Sequence, residues 1–362
     1  MSVYCRLASP PVFLRALHTV AVSRDGWATV AFTDSHVVLH VEGTDENMTA
    51  TCTMPKSLFA EYAVVETRFA VHIPTLIDAL LMLGPSVATA SMRAVLAYPA
   101  DDAKLLVELT PTERSAGGAF TGGVVTTQAE PSRGGARMLQ SLLVTRNVRD
   151  HLLDLRFAQT PLLAQVTLQG DMVRELIADV AAAQCSEVSI RIDAKLGVVL
   201  RGEGGPYGQV ESHIHADSEA LLSLSRERSA ETRVYSHHLA LACGARGAAG
   251  GAGASSGATG GAGAGGGGRM RGGVAGGGGG ARDGRLSSAE YMLMGLSTSS
   301  ASGAGGAGGG AAAGALFGGF ERLTLQINAQ RQLSVLHTQR DHELKVSVAV
   351  VVLPLSSVYD LL

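Results

Sequence analysis

The sequence predicts an α+β fold of two similar domains, each with antiparallel sheets and two helices. A pattern of one helix and three strands begins at residues 13–17 and again at 172–176. The copies are 159 residues apart at Arg15 and Arg174 and 161 apart at Val38 and Val199, so their loops have nearly equal lengths. Residues 36–42 also alternate in the way expected of a half-buried antiparallel strand. Such a duplication predicts two like domains side by side, as in half of a ring.

The first domain is predicted to begin with a strand and a helix. Pro10 and Pro11 begin the helix, because proline is tolerated in the first helical turn. Pro74 begins a second helix, which Gly84 and Pro85 end. The predicted strands lie at 4–8, 27–33, 36–42, 48–54, 69–73, 90–98, 104–110 and 138–146, with 123–127 as an alternative to the last.

The second domain is predicted to repeat this order from residue 162. Its first helix covers 170–183, and a short one covers 289–296, where Ser287 and Glu290 resemble a capping box. The segment Gly202–Gly208 is predicted to be a hairpin turn. The predicted strands lie at 163–168, 188–193, 197–201, 208–215, 232–243, 322–329, 332–339 and 344–353.

Composition shifts predict the domain organisation. The first domain covers 1–147, a connector covers 148–161, and the second domain covers 162–362. A Gly-rich loop is inserted in the first domain at 112–136. Two Gly/Ala-rich inserts at 244–286 and 297–319 lie in the second domain, and we expect them to be disordered because they cannot bury a core.

Charge and cysteine usage exclude several classes of protein. The net charge of −3 gives no overall attraction to nucleic acid, so any contact with DNA depends on local geometry. The four cysteines form no CxxC pair, which argues against a disulfide framework and a zinc site. No apolar run reaches the roughly 20 residues that span a bilayer, and the start does not resemble a signal peptide. We therefore expect an intracellular protein that does not interact with a membrane.

Sequence motifs give no support for an enzyme. The spacings of phosphate-binding loops, nucleophile elbows and zinc proteases are all absent. His237 and His238 are adjacent on a predicted strand and would point to opposite faces, which argues against a shared metal. His213 and His215 share a face but lack a suitably spaced carboxylate or cysteine. We predict no catalytic residue, no metal site and no cofactor.

Arg15, His18 and Arg174 are the candidate DNA-facing residues. The two arginines occupy the same position in the two copies, and His18 shares the exposed helix face of Arg15. If the helices face a central hole, these side chains would face a DNA backbone, where cationic groups suffice for contact that ignores sequence. The alternative is that they are solvated residues on amphipathic helices.

The ordered series of segments resembles the Rad-one subunits of the heterotrimeric DNA-damage checkpoint clamp. These proteins are relatives of the sliding clamp called proliferating-cell nuclear antigen. The matching stretches include FLRALHTVA and FAVHIPTLIDALLMLGPS. All the matching stretches lie at residues 13–21, 36–54, 69–86, 154–215 and 321–353.

The resemblance implies a sliding-clamp fold and a nuclear, non-enzymatic role. It implies a subunit that joins two other clamp-fold subunits in a heterotrimer around double-stranded DNA. It further implies that a clamp loader places the ring and that the ring recruits checkpoint and repair proteins. The inner helices would lie at 11–21, 74–83, 171–183 and 288–296. The second and fourth contain no Lys or Arg, so the partner subunits would supply most of the positive field.

The resemblance also implies positions for the contact surfaces. Subunits of clamps join through edge strands, whose unpaired backbone groups are templates for pairing. The candidate edge residues are Met138, Leu142 and Val144 in the first domain and Gln209, Glu211 and His213 in the second. The candidate residues of a groove for client peptides in the connector are Leu152, Leu155 and Phe157, which could instead simply cover the core.

Three alternatives remain open at this stage. A homotrimeric replication clamp fits the fold, but identical chains with so few inner-face cations would encircle DNA badly. A 3′–5′ exonuclease would need clustered carboxylates, which the sequence lacks. An adaptor could act through the arginines of the Gly/Ala tract, since such segments bind nucleic acid weakly. We expect instead that deletion of 244–284 leaves ring assembly intact.

Overall fold

The computed structural model describes residues 2–23, 25–84, 92–111, 138–148, 152–225, 229–244, 320–339 and 345–355. Within these ranges, none of the helices has the length and apolarity needed to cross a membrane. The three predicted inserts and the predicted helix at 289–296 fall largely or wholly outside the described residues, as does the alternative strand at 123–127.

Residues 3–146, here called the first repeat, begin with β1 and α1. Pro10 lies at the start of α1, and Pro74 lies in the first turn of α2, as the sequence predicts. The helices are α1 (Pro10–Val20) and α2 (Ile73–Leu80). The strands are β1 (Val3–Leu7), β2 (Trp27–Phe32), β3 (His36–Glu42), β4 (Met48–Pro55), β5 (Phe59–Val64), β6 (Thr67–His72), β7 (Met92–Tyr98), β8 (Leu105–Pro111), β9 (Leu139–Leu143) and β10 (Thr145–Arg146).

Residues 162–352, here called the second repeat, follow the same order of elements. The helices are α3 (Gly170–Ala182) and α4 (Ser236–Ala242). The strands are β11 (Leu162–Gln169), β12 (Glu187–Asp193), β13 (Gly197–Gly205), β14 (Gly208–Ile214), β15 (Leu221–Leu224), β16 (Ala230–Tyr235), β17 (Arg322–Asn328), β18 (Leu333–Thr338) and β19 (Ser347–Val352). The strands β5 and β15 are at equivalent positions in the two repeats and were not predicted.

Apart from the pair β6–β10, which only the first repeat has among the described residues, the strand pairings of the two repeats correspond. In the first repeat β1 pairs with β5 and β7, β7 continues to β8 and β9, and β2 pairs with β3 and β6. In the second repeat β11 pairs with β15 and β17, β17 continues to β18 and β19, and β12 pairs with β13 and β16. All these pairs are antiparallel, which confirms the duplicated α+β fold.

The two repeats are joined by one strand pair. β4 of the first repeat pairs with β19 of the second, with Ala50 opposite Val350, so a single ten-stranded sheet runs from β10 to β15. Only one face of β19 is buried. Because α1 and α4 both pack against β19, they must lie on that buried face. The helix pairs α1–α2 and α3–α4 therefore share one side of the joined sheet.

One predicted element of the second repeat is wrong. Residues 232–243 do not form a single strand, because β16 ends at Tyr235 and α4 begins at Ser236. This helix follows β16 as α2 follows β6, so it is the second helix of the repeat. The sequence predicts that second helix at 289–296, which lies outside the described residues. The loop Gly202–Gly208 forms a hairpin turn at Pro206 and Tyr207, as predicted.

Candidate subunit and nucleic-acid interfaces

Six described strands end a sheet and have a neighbour on one side only, namely β5, β9, β10, β14, β15 and β16, and two of them, β9 and β14, are the candidate interface strands. β9 ends the sheet β5-β1-β7-β8-β9, and β14 ends the sheet β14-β13-β12-β16. Within the part of the chain that the structure describes, the outer backbone N–H and C=O groups of β9 and β14 are therefore available to pair with a further strand.

The candidate edge residues of the first repeat are exposed apolar side chains. Met138 is 52% exposed, Leu142 is 47% exposed and Val144 is 63% exposed, whereas Leu143 turns into the core. Only Leu142 lies within β9, since Met138 precedes the strand and Val144 follows it, and the exposed polar residue Gln140 lies between Met138 and Leu142. Exposed apolar side chains at an open edge indicate a contact surface, because such edges are otherwise prone to aggregation.

The candidate edge residues of the second repeat are polar and exposed. Oε1 of Gln209 accepts a hydrogen bond from Arg201 at 2.6 Å, and Oε1 of Glu211 lies 2.6 Å from Nε2 of His213. Ile214 at the end of the strand is buried. The two edges thus differ in character: one is apolar and the other carries polar groups already paired within this chain.

The two open edges are equivalent to the two strands that pair inside the chain. By the matched pairings, β9 occupies in the first repeat the place of β19 in the second, and β14 occupies the place of β4. Leu142 corresponds to Val351, and Gln209 corresponds to Thr49, which is the residue opposite Val351 in the internal pair. The described part of the chain therefore contains one complete junction, β4–β19, and two open strands, β14 and β9, that are equivalent to the two strands of this junction.

The residues Arg15 and His18 lie on α1, and both are half-buried. They follow the helix N-terminus that the two prolines define, and their neighbour Thr19 donates a hydrogen bond to the carbonyl of Arg15 at 2.8 Å. The opposite stripe of α1, which includes Phe13 and Leu17, is buried in the core. The sequence predicts an exposed face for Arg15 and His18, whereas both side chains are half-buried, on the least buried side of the helix.

Arg174 lies on α3 but is engaged by its own chain. Its guanidinium forms an ion pair with Asp171 and donates a hydrogen bond to the Phe320 carbonyl at 3.3 Å, and its side chain is only 18% exposed. Burial lowers the pKa of His337 and raises the pKa of Cys243, and the nearby Arg174 guanidinium adds to the effect of burial at His337 and opposes it at Cys243. Arg174 thus helps to hold α3 against the chain at Phe320. Its equivalence to Arg15 in the sequence does not predict these contacts.

The four described helices are acidic on balance. They contain two basic residues, Arg15 and Arg174, and four acidic residues: Asp78, Asp171, Glu175 and Asp179. A duplex requires cationic groups facing its phosphates. The helix layer of this chain alone is therefore a poor surface for DNA.

The connector between the repeats is fixed at both ends by hydrogen bonds. The N–H of Leu153 donates to the Glu42 carboxylate at 2.8 Å in the first repeat. In the second repeat, the amides of Gln332 and Asn328 donate to the carbonyls of Leu155 and Phe157 at 2.9 and 3.4 Å.

The amides of Asn328 and Gln332 also bond to each other at 2.6 Å, and both residues are buried. The candidate groove residues Leu152, Leu155 and Phe157 are all half-buried on this fixed segment. Sequence reasoning found these apolar residues but not the two amides that hold them.

A second correction concerns His237 and His238. They lie in the first turn of α4 rather than on a strand, so they do not point to opposite faces of a sheet. Together with Asp45 from the β3–β4 turn they place three potential ligand atoms within 4.8 Å of one another. Because Asp45 and His237 are far apart in the chain, no local sequence pattern could have shown this cluster.

Comparisons with known proteins agree with this architecture. The family described as "Repair protein Rad1/Rec1/Rad17" matches residues 11–243, which is more than half of the chain. A comparison with curated protein sequences gives no match.

Among solved structures, this chain is similar to proliferating-cell nuclear antigen of Thermococcus kodakaraensis, with 11% identity and a TM-score of 0.59 over 98% of this chain and 100% of that one. It is also similar to the same antigen of Entamoeba histolytica, with 10% identity and a TM-score of 0.60 over 98% of this chain and 99% of that one. Identities this low show only that the chain shares the fold of these clamps, whereas the family match shows that it belongs to the family. The chain belongs to the Rad1/Rec1/Rad17 family of repair proteins and has the sliding-clamp fold.

Proposed function

We propose that this chain is one subunit of a heterotrimeric checkpoint clamp that encircles double-stranded DNA at damage sites in the nucleus. In this proposal a clamp loader places the ring on DNA, and the ring recruits checkpoint and repair proteins. The observation that carries the proposal is the pair of open edges, β9 and β14, which are equivalent to the two strands joined inside the chain.

The internal junction supports a specific mode of assembly. β4 and β19 pair over six residues from Met48/Val352 to Thr53/Ser347. If each subunit repeats this pairing with its neighbours, β9 joins a β14-like strand of one partner and β14 joins a β9-like strand of the other. Continued head-to-tail pairing closes a ring when the rotation at each contact fits. Met138, Leu142 and Val144 would then be covered by one partner, and Gln209, Glu211 and His213 by the other.

The helix charges favour two different partners over a homotrimer. Three copies of this chain would line a hole with twice as many acidic as basic helix residues, which would repel the phosphates of DNA. Partners with basic helices would correct this balance. We propose that Arg15 and His18 contribute phosphate contacts from this subunit, and that Arg174 contributes weakly because Asp171 and Phe320 already engage it.

We propose a scaffold rather than a nuclease. Metal-dependent cleavage of phosphodiesters commonly uses several carboxylates that converge on two cations. The three-residue cluster found among the described residues contains one carboxylate, Asp45. In the proposed organisation the domains cover 1–147 and 162–362, and the connector at 148–161 borders the docking site for client peptides through Leu152, Leu155 and Phe157.

The experiment that tests the assembly changes both open edges at once. The variant Leu142→Lys/Glu211→Lys places a charge on the apolar edge and reverses a charge on the polar edge. Each variant chain is tagged, expressed in its own cells and purified, and the co-purifying subunits are counted by quantitative mass spectrometry. We expect the double variant to lose both partner subunits, and each single variant to retain them, because an open chain of three subunits still has two intact contacts.

The matched control is Leu196→Lys/Glu219→Lys. Leu196 is 46% exposed, close to the 47% of Leu142, but it lies in the β12–β13 turn, and Glu219 is an exposed turn residue. We expect this control to retain both partners. Recovery of both partners with the double edge variant would contradict the proposed assembly.

A further inference from the structure

The cluster of Asp45, His237 and His238 lies where the two repeats meet. Asp45 is in the turn between β3 and β4 of the first repeat, and the two histidines are in the first turn of α4 of the second. This position is beside the only strand pair that joins the repeats within the described residues, β4–β19. An ion held here would contact both halves of the protein.

Backbone hydrogen bonds fix the position of the cluster. The N–H of Leu353 donates to the carbonyl of Asn47 at 2.8 Å, in the turn that carries Asp45. The N–H of Leu355 donates to the carbonyl of Arg233 at 2.7 Å, in the strand that leads into α4. Residues 353–355 therefore tie the β3–β4 turn to β16, and the approach of Asp45 to the histidines follows from the fold itself.

The geometry is close to that of a transition-metal site. Nε2 of His238 lies 3.6 Å from Oδ2 of Asp45, and the three potential ligand atoms lie within 4.8 Å of one another. Ligand atoms about 2.0–2.1 Å from a tetrahedral zinc ion are roughly 3.3 Å apart. Asp45 and His237 are exposed, so their side chains have room to close the remaining distance, whereas His238 is buried and provides a fixed ligand.

The chemistry of the donors also suits zinc. Two imidazoles and one carboxylate form the kind of set that binds Zn²⁺, with water in the fourth position, and they are less suited to Mg²⁺ or Ca²⁺, which prefer oxygen ligands.

We propose that Asp45, His237 and His238 bind one Zn²⁺ ion that links the β3–β4 turn of the first repeat to α4 of the second. The ion would hold together two elements from different repeats, beside their shared strand pair. A ligand that binds only the folded chain raises its stability. This inference does not depend on ring assembly, since all three residues belong to one chain.

The test measures zinc binding to the purified full-length chain. Zn²⁺ is titrated against a chromophoric chelator in competition with the protein, and thermal unfolding is followed with and without the ion. We expect one zinc per chain and a higher Tm in its presence. The variant Asp45→Asn/His237→Gln alters two exposed residues, so folding should survive, and we expect at least about a tenfold loss of zinc affinity.

The matched control is His215→Gln/Asp217→Asn. It removes another exposed imidazole and another exposed carboxylate, two residues apart, that lie outside the cluster. We expect its zinc affinity to stay within about twofold of the parent and its zinc-dependent rise in Tm to persist. Equal zinc affinity in the parent and in Asp45→Asn/His237→Gln, or no binding by the parent at about 100 µM zinc, would overturn the proposal.

Discussion

Removal of the buried histidine His337 should weaken the dependence of stability on pH. Its ring is fully buried near Phe320, and its Nε2–H donates a hydrogen bond to the carbonyl of Ala242 at 2.6 Å, at the end of α4. Burial lowers the pKa of His337 to about 4; the hydrogen bond to Ala242 opposes this change and the Arg174 guanidinium adds to it.

The sign of the effect follows from proton binding. An unfolded histidine binds a proton near pH 6.5, whereas folded His337 does so only near pH 4. Between these values the unfolded chain binds more protons, so the free energy of unfolding falls as pH falls. The contribution is fully present above about pH 6.5. It amounts to about 3 kcal/mol in total, of which about 2 kcal/mol is lost between pH 7.5 and pH 5.

The substitution His337→Leu tests this value, because Leu109 occupies the equivalent buried position in the first repeat. The free energy of unfolding is measured by urea titration at pH 7.5 and pH 5 for both proteins. The other histidines are present in both, so their contributions cancel in the difference. We expect the variant to lose about 2 kcal/mol less than the parent over this interval. Equal losses in the two proteins would refute the reasoning.

Two further substitutions test the packing of α3 and the connector. Gly170→Ala should lower the free energy of unfolding by roughly 1–3 kcal/mol, since a Cβ there would lie 2.3 Å from the carbonyl oxygen of Phe320; a urea titration within about 0.5 kcal/mol of the parent would contradict this. Gln332→Leu removes the donor to the Leu155 carbonyl, so we expect faster amide hydrogen exchange across 153–157, and unchanged exchange there would show that this bond does not fix the connector.

The sequence predicts the elements whose boundaries have local causes. Pro10 and Pro74 mark the starts of α1 and α2, because proline fits the first turn of a helix and lacks an N–H to be satisfied there. The start of α4 has no such marker: His237 stands where the first repeat has Pro74, and the helix has no side-chain cap. The local sequence of this segment therefore predicts a strand.

The candidate sites divide in the same way. The exposure of Leu142 can be predicted from the local sequence, because side chains along a strand alternate between the two faces of the sheet. The engagement of Arg174 by Phe320, the amides that hold the connector and the approach of Asp45 to His238 all depend on contacts between distant segments. A single sequence without such contacts gives no basis for predicting them.

The native mass of the assembly tests the central proposal most directly. The tagged chain is purified from its own cells under mild conditions, and intact complexes are measured by native mass spectrometry. The proposal predicts one copy of this 37.2-kDa chain with one copy each of two different clamp-sized subunits. A complex of three copies of this chain alone, or a chain recovered without any clamp-sized partner, would contradict it.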